Sequence, residues 1–337
     1  MINPTSSPEL SHFPVMLEEV IKVCNPKKGG VFIDCTFGGG GYSKQFLQYP
    51  NTKVIALDRD NLIFKISEDL KKKHPERFFF YNKKFSELKT VVNDQLADVI
   101  VFDLGLSSIQ LNDFKRGFSF KSKDTIDMSM GLSNFSAVEV LNNFSEQKLR
   151  SIIKLLGEER DASRIAKNIV KTRLVKKITK VNHLVEIIER SKRKNYSAKI
   201  NISTKTFQAL RRFVNKEITE LINGIIIASK VLKPGGKILI VSFHSIEDKI
   251  VKYFFTNYSS NRSKPSRYLP ENQNDKLSLF EDYKNEILKP SIKEIKKNSP
   301  SRSAKLRYAI RSNNEFIYPQ ELKKKFKRYL ELEQLHA

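Results

Sequence analysis

The chain has 337 residues, with 61 Lys and Arg against 37 Asp and Glu, so its formal net charge is +24. Its length predicts about two domains, and two cysteines are too few for a disulfide framework or a zinc site. The sequence shows no secretion signal and no apolar run of the ~18 residues that a membrane span needs. We therefore expect a cytoplasmic protein without a metal or a membrane partner. The excess of positive charge favours a nucleic acid partner, although a generally lysine-rich composition would also produce it.

Near the N-terminus, residues 13–21 have the apolar spacing of a helix, which we expect to pack beside a ligand site. The apolar run 31–34 then leads into four consecutive glycines, 38–41, and residues 42–47 are typical of a helix start. Glycine lets the backbone adopt positive φ and approach a ligand closely. A second apolar run, 53–57, ends at Asp58, about 20 residues beyond the first glycine, where a carboxylate meets ribose hydroxyls. This unit predicts a nucleoside site.

The glycine loop lacks one feature of a dinucleotide site. The third glycine of that pattern would stand two places beyond Gly41, where the chain has Ser43. Instead, Asp34 ends the first strand and Asp58 ends the second, an arrangement that resembles the S-adenosylmethionine site of class I methyltransferases. At this point an NAD-dependent oxidoreductase and a purely structural glycine turn stay open as alternatives.

Further along, a helix is predicted over 62–73 and strands over 77–81 and 97–102, the last ending in Asp103. The alternation of strands and helices predicts a parallel sheet, whose ligands lie at the carboxyl ends of its strands. Asp34, Asp58 and Asp103 all fall at such ends. We therefore expect all three carboxylates near one ligand.

Between residues 112 and 215 the alternation stops, and helical patterns follow one another at 137–143, 146–156, 162–173 and 182–192. The sheet pattern returns with a helix at 215–231, a turn at 232–236, a strand at 237–241 and an antiparallel edge strand within 305–311. We predict an α/β fold: a Rossmann-like, doubly wound sheet of the class I S-adenosylmethionine-dependent methyltransferases. Its first part covers residues 1–111 and its second part 216–337, and they flank an inserted helical substrate-recognition domain of residues 112–215.

The insert and a basic segment at 284–311 concentrate positive charge, so a phosphate-contacting face is one interpretation of both. A solvated helix surface is the other interpretation. The cations of the insert are Arg164, Lys167, Lys171, Arg173, Lys176, Lys177, Arg190, Lys192, Arg193 and Lys194.

Several segments together resemble one family, the bacterial small-subunit ribosomal RNA cytosine-N(4) methyltransferases of the MraW (RsmH) type. The resemblance covers nearly the whole chain. Its most specific parts are DLGLSS at 103–108, RGFSF at 116–120, TFQALR at 206–211, SFHSIED at 242–248 and SRSAKLR at 301–307. They occur in the family's order, and they are far more specific than a glycine loop.

The resemblance implies S-adenosylmethionine as methyl donor and small-subunit ribosomal RNA as partner, with a decoding-centre cytosine as target. It leaves a homodimer open. Within the implied site, Asp58 would accept hydrogen bonds from ribose hydroxyls and Phe85 would cover adenine. The complete set of implied cofactor contacts is Gly40, Gly41, Tyr42, Asp58, Phe85, Asp103 and Gln110.

The chain departs from the family's pattern at a few positions. Tyr42 stands where histidine is common, and Lys205 replaces a common arginine. Ile126, Ser129 and Gly131 stand where proline, arginine and aspartate are usual. These departures concern contacts of the insert more than the cofactor pocket.

The exocyclic amine of cytosine is a poor nucleophile because its lone pair is delocalised into the ring, so an acceptor for its hydrogens is needed. Asp103 is the predicted acceptor, since amino-methyltransferases place a short polar group at this point. His244 is the alternative base, with Asp248 orienting it, although structural hydrogen bonding or RNA positioning would also explain His244. Methylation at carbon five would need a cysteine nucleophile, and Cys35 is better interpreted as a small buried hydrophobe.

Two other functions stay open beside the predicted rRNA methyltransferase. A DNA amino-methyltransferase would share the cofactor site and the chemistry. A non-catalytic RNA-binding assembly factor on a methyltransferase scaffold would share the fold without the reaction.

Overall fold

Parallel strands form the centre of the structure, a computed structural model that describes residues 14–94, 96–133, 135–192, 201–261 and 278–335. In those residues the sheet has six strands, in the order β3-β2-β1-β4-β5-β6. The first five strands in this order are parallel, and β6 pairs antiparallel to β5. The strands are β1 Gly30–Asp34, β2 Thr52–Asp58, β3 Phe78–Asn82, β4 Ala97–Asp103, β5 Leu232–Ser242 and β6 Lys305–Ile310.

Helices cover both faces of this sheet and fill the long interval between β4 and β5. In the described part of the chain, no helix is long and apolar enough to cross a membrane. The helices are α1 Leu17–Cys24, α2 Gly41–Phe46, α3 Phe64–Lys73, α4 Ser108–Asn112, α5 Ala137–Asn143, α6 Glu146–Gly157, α7 Ala162–Arg173, α8 Val181–Ser191, α9 Thr204–Asn215, α10 Glu217–Val231, α11 Ser245–Asn257, α12 Ile292–Lys297, α13 Gln320–Lys325 and α14 Lys327–Gln334.

The predicted parallel sheet with an antiparallel edge is confirmed, and two local predictions are wrong. The turn expected at 232–236 lies inside β5, because Ala97 pairs with Leu232 before an irregularity shifts the register. The helix expected at 215–231 is interrupted at its start. Lys216 adopts the left-handed conformation with φ 50°, so α9 ends at Asn215 and α10 begins at Glu217.

Helices α5 to α9 occupy the interval predicted as a helical insert. Two of them begin at serine caps typical of helix starts: Ser136 exchanges hydrogen bonds with Glu139, and Ser145 accepts one from the Lys148 N–H. The buried faces of α5 to α9 join the apolar side chains on one sheet face in a single hydrophobic cluster. The insert therefore packs as part of the core, while its boundaries at residues 112 and 215 stay a prediction.

The last helix is tied to α10 by one buried carboxylate. Glu333, on α14, accepts hydrogen bonds from the Ile218 N–H at 3.1 Å, the Thr219 N–H at 2.7 Å and the Thr219 hydroxyl at 2.6 Å. These amides belong to the first turn of α10, where backbone N–H groups have no partner within the helix. A side chain more than 110 residues away in sequence thus caps this helix.

We expect Glu333→Ala to lower the free energy of unfolding by about 2 kcal/mol or more, because it leaves buried donors without an acceptor. Urea denaturation followed by circular dichroism measures the change. Glu331→Ala is the matched control, since Glu331 lies on the same helix and makes an exposed ion pair with Lys327. Equal losses in the two variants would show that Glu333 does not cap α10.

Candidate active site

A cleft with a cavity volume of about 260 Å³ opens at the carboxyl ends of β1, β2 and β4. Thr36, Gly38, Asp58 and Asp103 line it from these strand ends and the loop after β1. Three further groups of lining residues come from the segment after β3, from α10 and from the segment after β5. Parallel strands bring these separate parts of the chain to one edge of the sheet.

Asp34 holds the loop after β1 in place. Its carboxylate is fully buried, and it accepts hydrogen bonds from the Ser43 hydroxyl at 2.7 Å and the Thr36 N–H at 3.2 Å. Burial raises the pKa of Asp34 to about 6, against the effect of these hydrogen bonds. Ser43, which replaces the third glycine of a dinucleotide pattern, therefore fixes the loop to the first strand.

The glycines of the loop have different roles. Gly38 lines the cleft with φ +49°, and its N–H donates to Asp58 Oδ2 at 2.8 Å. Gly40 and Gly41 are absent from the cleft lining among the described residues. A Cβ on Gly40 would stand 2.9 Å from the Phe37 ring, and one on Gly41 would stand 2.7 Å from the Pro14 ring. Close packing within the protein thus requires these two glycines, and their contact with a cofactor stays a prediction.

Tyr42 likewise points away from the cleft. Its ring is buried beside Phe46, and its hydroxyl donates to the backbone carbonyl of Val15. Val15 itself lines the cleft. The Tyr42 side chain therefore contributes to the site indirectly, because its hydroxyl holds the segment before α1 against the cleft.

Asp58 ends β2 and Phe85 follows β3, and both line the cleft, while their contact with a cofactor stays a prediction. Asp58 Oδ2 accepts from the Gly38 N–H and Oδ1 accepts from the Asp60 N–H at 2.9 Å. Each carboxylate oxygen keeps a second lone pair for a ligand. The Phe85 ring is half-buried, lines the cleft, and packs edge-on against Phe102 at 5.4 Å. A Cβ on Gly224 would stand only 2.4 Å from the Phe85 ring, so α10 supports this ring closely.

The Gln110 side chain is held by Asp60 and by the backbone of Ser107, two contacts that the sequence did not predict. Its Nε2 donates to Asp60 Oδ2 at 2.7 Å, and its Oε1 accepts from the Ser107 N–H at 3.0 Å. Arg116 also donates to Asp60 Oδ2 at 2.7 Å. Arg116 belongs to the family-like segment 116–120, but no local pattern in the sequence places it beside Asp60. Their contacts fix Gln110 in the wall of the cleft.

Asp103 differs from the other strand-end acids because one of its oxygens has no partner. Its backbone N–H donates to Thr36 Oγ1 at 2.7 Å, yet its buried Oδ1 makes no hydrogen bond within the described chain. Burial raises the pKa of this carboxyl well above its usual value, and the charges of Asp34 and Glu247 add to the rise. A buried acceptor left unpaired in a cleft indicates a donor that arrives with a ligand.

Carboxylates line the interior of the cleft although the whole chain is strongly basic. Glu217, Glu220 and Glu247 join Asp58 and Asp103 in the lining. The lining cations are Arg59, Lys83, Lys84 and Lys297. Such an interior suits a ligand with positive charge and several hydrogen-bond donors.

His244 does not line the cleft among the described residues; its neighbours Phe243 and Glu247 do. Burial, together with the charges of Arg212 and Arg211, lowers the pKa of His244 to about 2, which makes it a very weak base. The predicted proton-transfer role of His244 therefore has no support in this geometry.

The predicted pairing of Asp248 with His244 is wrong. Asp248 instead accepts from Lys305 at 2.9 Å and Arg307 at 2.7 Å, because β6 brings both cations against α11. Cys35 lines the cleft, but burial raises the pKa of its thiol well above the usual range. A thiol held neutral is a poor nucleophile, in agreement with the interpretation of Cys35 as a small hydrophobe.

The departures from the family pattern have local explanations. A Cβ on Gly131, where φ is +40°, would stand 1.8 Å from the Arg59 carbonyl oxygen, so no side chain fits this backbone. Ile126 is fully buried, and the Ser129 hydroxyl donates to Asp127 at 3.0 Å. Lys205 donates to the Glu158 carbonyl at 3.1 Å. Met130 is the residue of this segment that reaches the cleft.

The family model described as the MraW methylase family matches residues 9–312. The chain belongs to the MraW methylase family. Three curated relatives, each called ribosomal RNA small subunit methyltransferase H, show how close this membership is. The protein of Ehrlichia canis is 40% identical over 309 residues, covering 89% of this chain and 99% of the relative. Those of Rickettsia akari and Bartonella henselae are 41% and 39% identical, covering 89% and 91% of this chain and 98% and 88% of the relatives.

Membership in the MraW methylase family confirms the resemblance seen in the sequence. It also confirms the predicted enzyme class, a methyltransferase, and S-adenosylmethionine as its methyl donor. The NAD-dependent oxidoreductase is thereby excluded.

We expect Asp58→Ala to weaken binding of S-adenosylmethionine to this MraW-family chain about tenfold or more, because a hydrogen bond to a charged group contributes roughly 1.5–3 kcal/mol. Burial raises the pKa of Asp58 to about 6. Since the ionised carboxylate is the better acceptor, affinity should fall as the pH drops through 6, and Asp58→Asn should flatten that dependence.

Calorimetric titration at pH 5.5 and 7.5 measures both effects. Asp69→Ala, on the exposed side of α3, is the control for loss of an aspartate. Parental affinity in Asp58→Ala would remove Asp58 from the cofactor site.

Proposed function

We propose that this chain transfers a methyl group from S-adenosylmethionine to the exocyclic amine of a cytosine in small-subunit ribosomal RNA, within the decoding centre. The observation that carries the proposal is the unpaired, buried Oδ1 of Asp103 at the floor of the cleft. A methyl acceptor that brings N–H donors satisfies this oxygen. The names of the curated relatives support the RNA substrate.

The residues of the cleft fit the methyl donor. Asp58 would accept from its ribose hydroxyls, the Phe85 ring would cover its adenine, and the acidic lining would favour its positive charge. S-adenosylmethionine supplies an electrophilic methyl group on a sulfonium centre. Asp58 ends β2, while Gly38 follows β1 and Phe85 follows β3. These three strands lie on one side of β4 in the sheet. We assign this side to the cofactor.

The other side of the cleft suits the methyl acceptor. Phe243 and Glu247 follow β5, and Asp103 ends β4, between them and the cofactor side. The Glu247 carboxylate accepts from the Phe243 N–H at 3.0 Å, which fixes the backbone there. A cytosine that enters between Phe243 and Asp103 would present its amine to the carboxylate. To reach this position, the base must leave its stack in the RNA.

Asp103 would act on the amine rather than on the methyl group. Accepting a hydrogen bond from the amine keeps its lone pair available and favours the positive charge that develops on nitrogen. Burial raises the pKa of Asp103, which strengthens it as a proton acceptor, while a cationic donor nearby favours the ionised form needed at the start. After transfer, the surplus proton on nitrogen passes to Asp103 or to water.

Several cations predicted to contact phosphate have structural partners instead. Arg164, Arg190 and Lys192 pair with Asp161, Glu186 and Glu159, respectively. Arg173 donates to the Leu141 carbonyl at 2.8 Å. In the basic segment 284–311, Arg307 and Arg311 are buried with polar partners inside the protein. Arg193 and Lys194 lie outside the described residues.

Exposed lysines of α7 and the loop after it remain as candidates for RNA contact. Lys167, Lys171, Lys176 and Lys177 are exposed and form no ion pair with another described residue. Their position on the insert supports a role in holding RNA flanking the target. A ribosomal RNA partner also supports the predicted cytoplasmic location.

Two alternatives of the sequence analysis lose support. A DNA amino-methyltransferase has the same chemistry, but the curated relatives carry the name of an rRNA enzyme. A non-catalytic assembly factor has no use for an unpaired buried carboxylate between two half-sites. The rRNA methyltransferase therefore accounts best for the site.

We expect Asp103→Ala to reduce the single-turnover rate of methyl transfer to small ribosomal subunits about 10²–10³-fold, as removal of one preorganised polar group does in other enzymes. RNA affinity should change little. Because the same carboxylate lies near the cofactor side, rates are compared at saturating S-adenosylmethionine. Asp124→Ala, which removes an exposed aspartate in the segment after α4, is the control. Methylation at the parental rate would rule out Asp103 as the acceptor.

Replacing four exposed lysines of the insert by glutamine should weaken RNA binding and flatten its salt dependence, by about 0.7–0.9 in the log–log slope per lost phosphate contact. Cofactor affinity should stay unchanged. The matched control replaces four exposed lysines of α3. An equal effect of both sets, or an unaltered slope, would assign the insert lysines to a solvated surface. The two sets are Lys167, Lys171, Lys176 and Lys177, and Lys65, Lys71, Lys72 and Lys73.

A further inference from the structure

One face of α10 forms a wall of the cleft next to the segment that carries Phe85. Residues 217, 220, 221 and 224 are spaced by three or four, so they share a face of the helix. Glu217, Glu220 and Leu221 line the cleft, and Gly224 packs beneath the Phe85 ring. Glu220 therefore lies one helical turn from the support of the ring that we assign to adenine.

The carboxylate of Glu220 is buried and incompletely paired. The residue is 9% exposed, and its Oε2 makes no hydrogen bond within the described chain. Glu217, by contrast, is held by both nitrogens of the Arg211 fork, at 2.8 and 2.9 Å. Arg59 interacts electrostatically with Glu220, but its Nη1 donates to the Asn215 carbonyl at 2.9 Å. Glu220 Oε2 is thus an acceptor in the cleft wall that receives no hydrogen bond from the described residues.

An adenine ring beside Phe85 would need a hydrogen-bond acceptor for its amino group. Adenine carries one exocyclic N–H₂ group, which must find an acceptor if the ring is buried. The lining side chains next to Phe85 in sequence are Lys83 and Lys84, and lysine only donates hydrogen bonds. Asp58 is already assigned to the ribose hydroxyls. The unpaired carboxylate oxygen of Glu220 therefore complements the amino group of the adenine ring.

We propose that Glu220 accepts a hydrogen bond from the 6-amino group of the cofactor's adenine and thereby selects adenine over 6-oxopurines; this inference rests on the proposed function. A 6-oxopurine would turn a carbonyl oxygen toward the carboxylate, so two acceptors would face each other. The discrimination arises from an unpaired buried group, which is the strong form of hydrogen-bond specificity.

The test compares S-adenosylhomocysteine and S-inosylhomocysteine by calorimetric titration. These ligands differ at the 6-position and at the neighbouring N1, which accepts a hydrogen bond in adenine and donates one in hypoxanthine. The parental protein should bind the adenosyl ligand about ten- to a hundredfold more tightly. In Glu220→Gln the side-chain amide can rotate to donate to a 6-oxo group, so the preference should fall to about threefold or less. Glu189→Gln, which makes the same change of charge on the exposed side of α8, should keep the full preference.

Each remaining outcome overturns the inference. If Glu220→Gln folds, by its thermal melt, and keeps the parental preference, Glu220 does not contact the 6-position. If this variant instead loses its discrimination against the 2′-deoxy or 3′-deoxy ligand, the carboxylate binds ribose. If the parental protein binds neither homocysteine ligand, the proposed function fails as well, which separates that failure from a failure at Glu220 alone.

Discussion

Buried carboxylates that accept hydrogen bonds from backbone N–H groups hold together the side of the cleft that we assign to the cofactor. Asp34 fixes the start of α2 and the turn after β1, and Asp58 fixes Gly38 and Asp60. Each of these acids stands at the last residue of a parallel strand, so the sheet itself sets their spacing. Burial raises the pKa of both groups to about 6, and the surrounding amides offset part of that cost. If the sheet were not parallel, these side chains would not meet at one edge.

Asp103 and Glu220, unlike Asp34 and Asp58, are buried acids with an unpaired carboxylate oxygen. Both line the same cleft, and each keeps a carboxylate oxygen without a partner in the described residues. A folded protein seldom leaves such groups unpaired, because each costs roughly the desolvation of an acceptor. Within the cleft, the pairing pattern therefore distinguishes Asp58, whose two oxygens hold the backbone, from Asp103 and Glu220, which we propose to pair with ligand donors.

The insert and the sheet behave as one packed body at the site. The helices α5 to α9 share a hydrophobic cluster with one face of the sheet, and α10 directly follows α9 and supplies cleft residues. Glu333 of α14 in turn caps α10. The α10 wall beside Phe85 consequently depends on the insert and on the end of the chain, which links the insert to the part of the cleft that we assign to the cofactor.

The sequence by itself determined the local features: the strands ending in Asp34, Asp58 and Asp103, the insert helices α5 to α8, and the family-like segments. These follow from apolar periodicity and motif spacing, which act over neighbouring residues. Only the tertiary structure decided how distant residues pair. Gly40 and Gly41 pack against Phe37 and Pro14. Asp248 pairs with Lys305 and Arg307, and Glu220 lines the cleft. Those contacts join residues far apart in the chain, and their formation depends on the order of strands and the packing of helices, which no local pattern encodes.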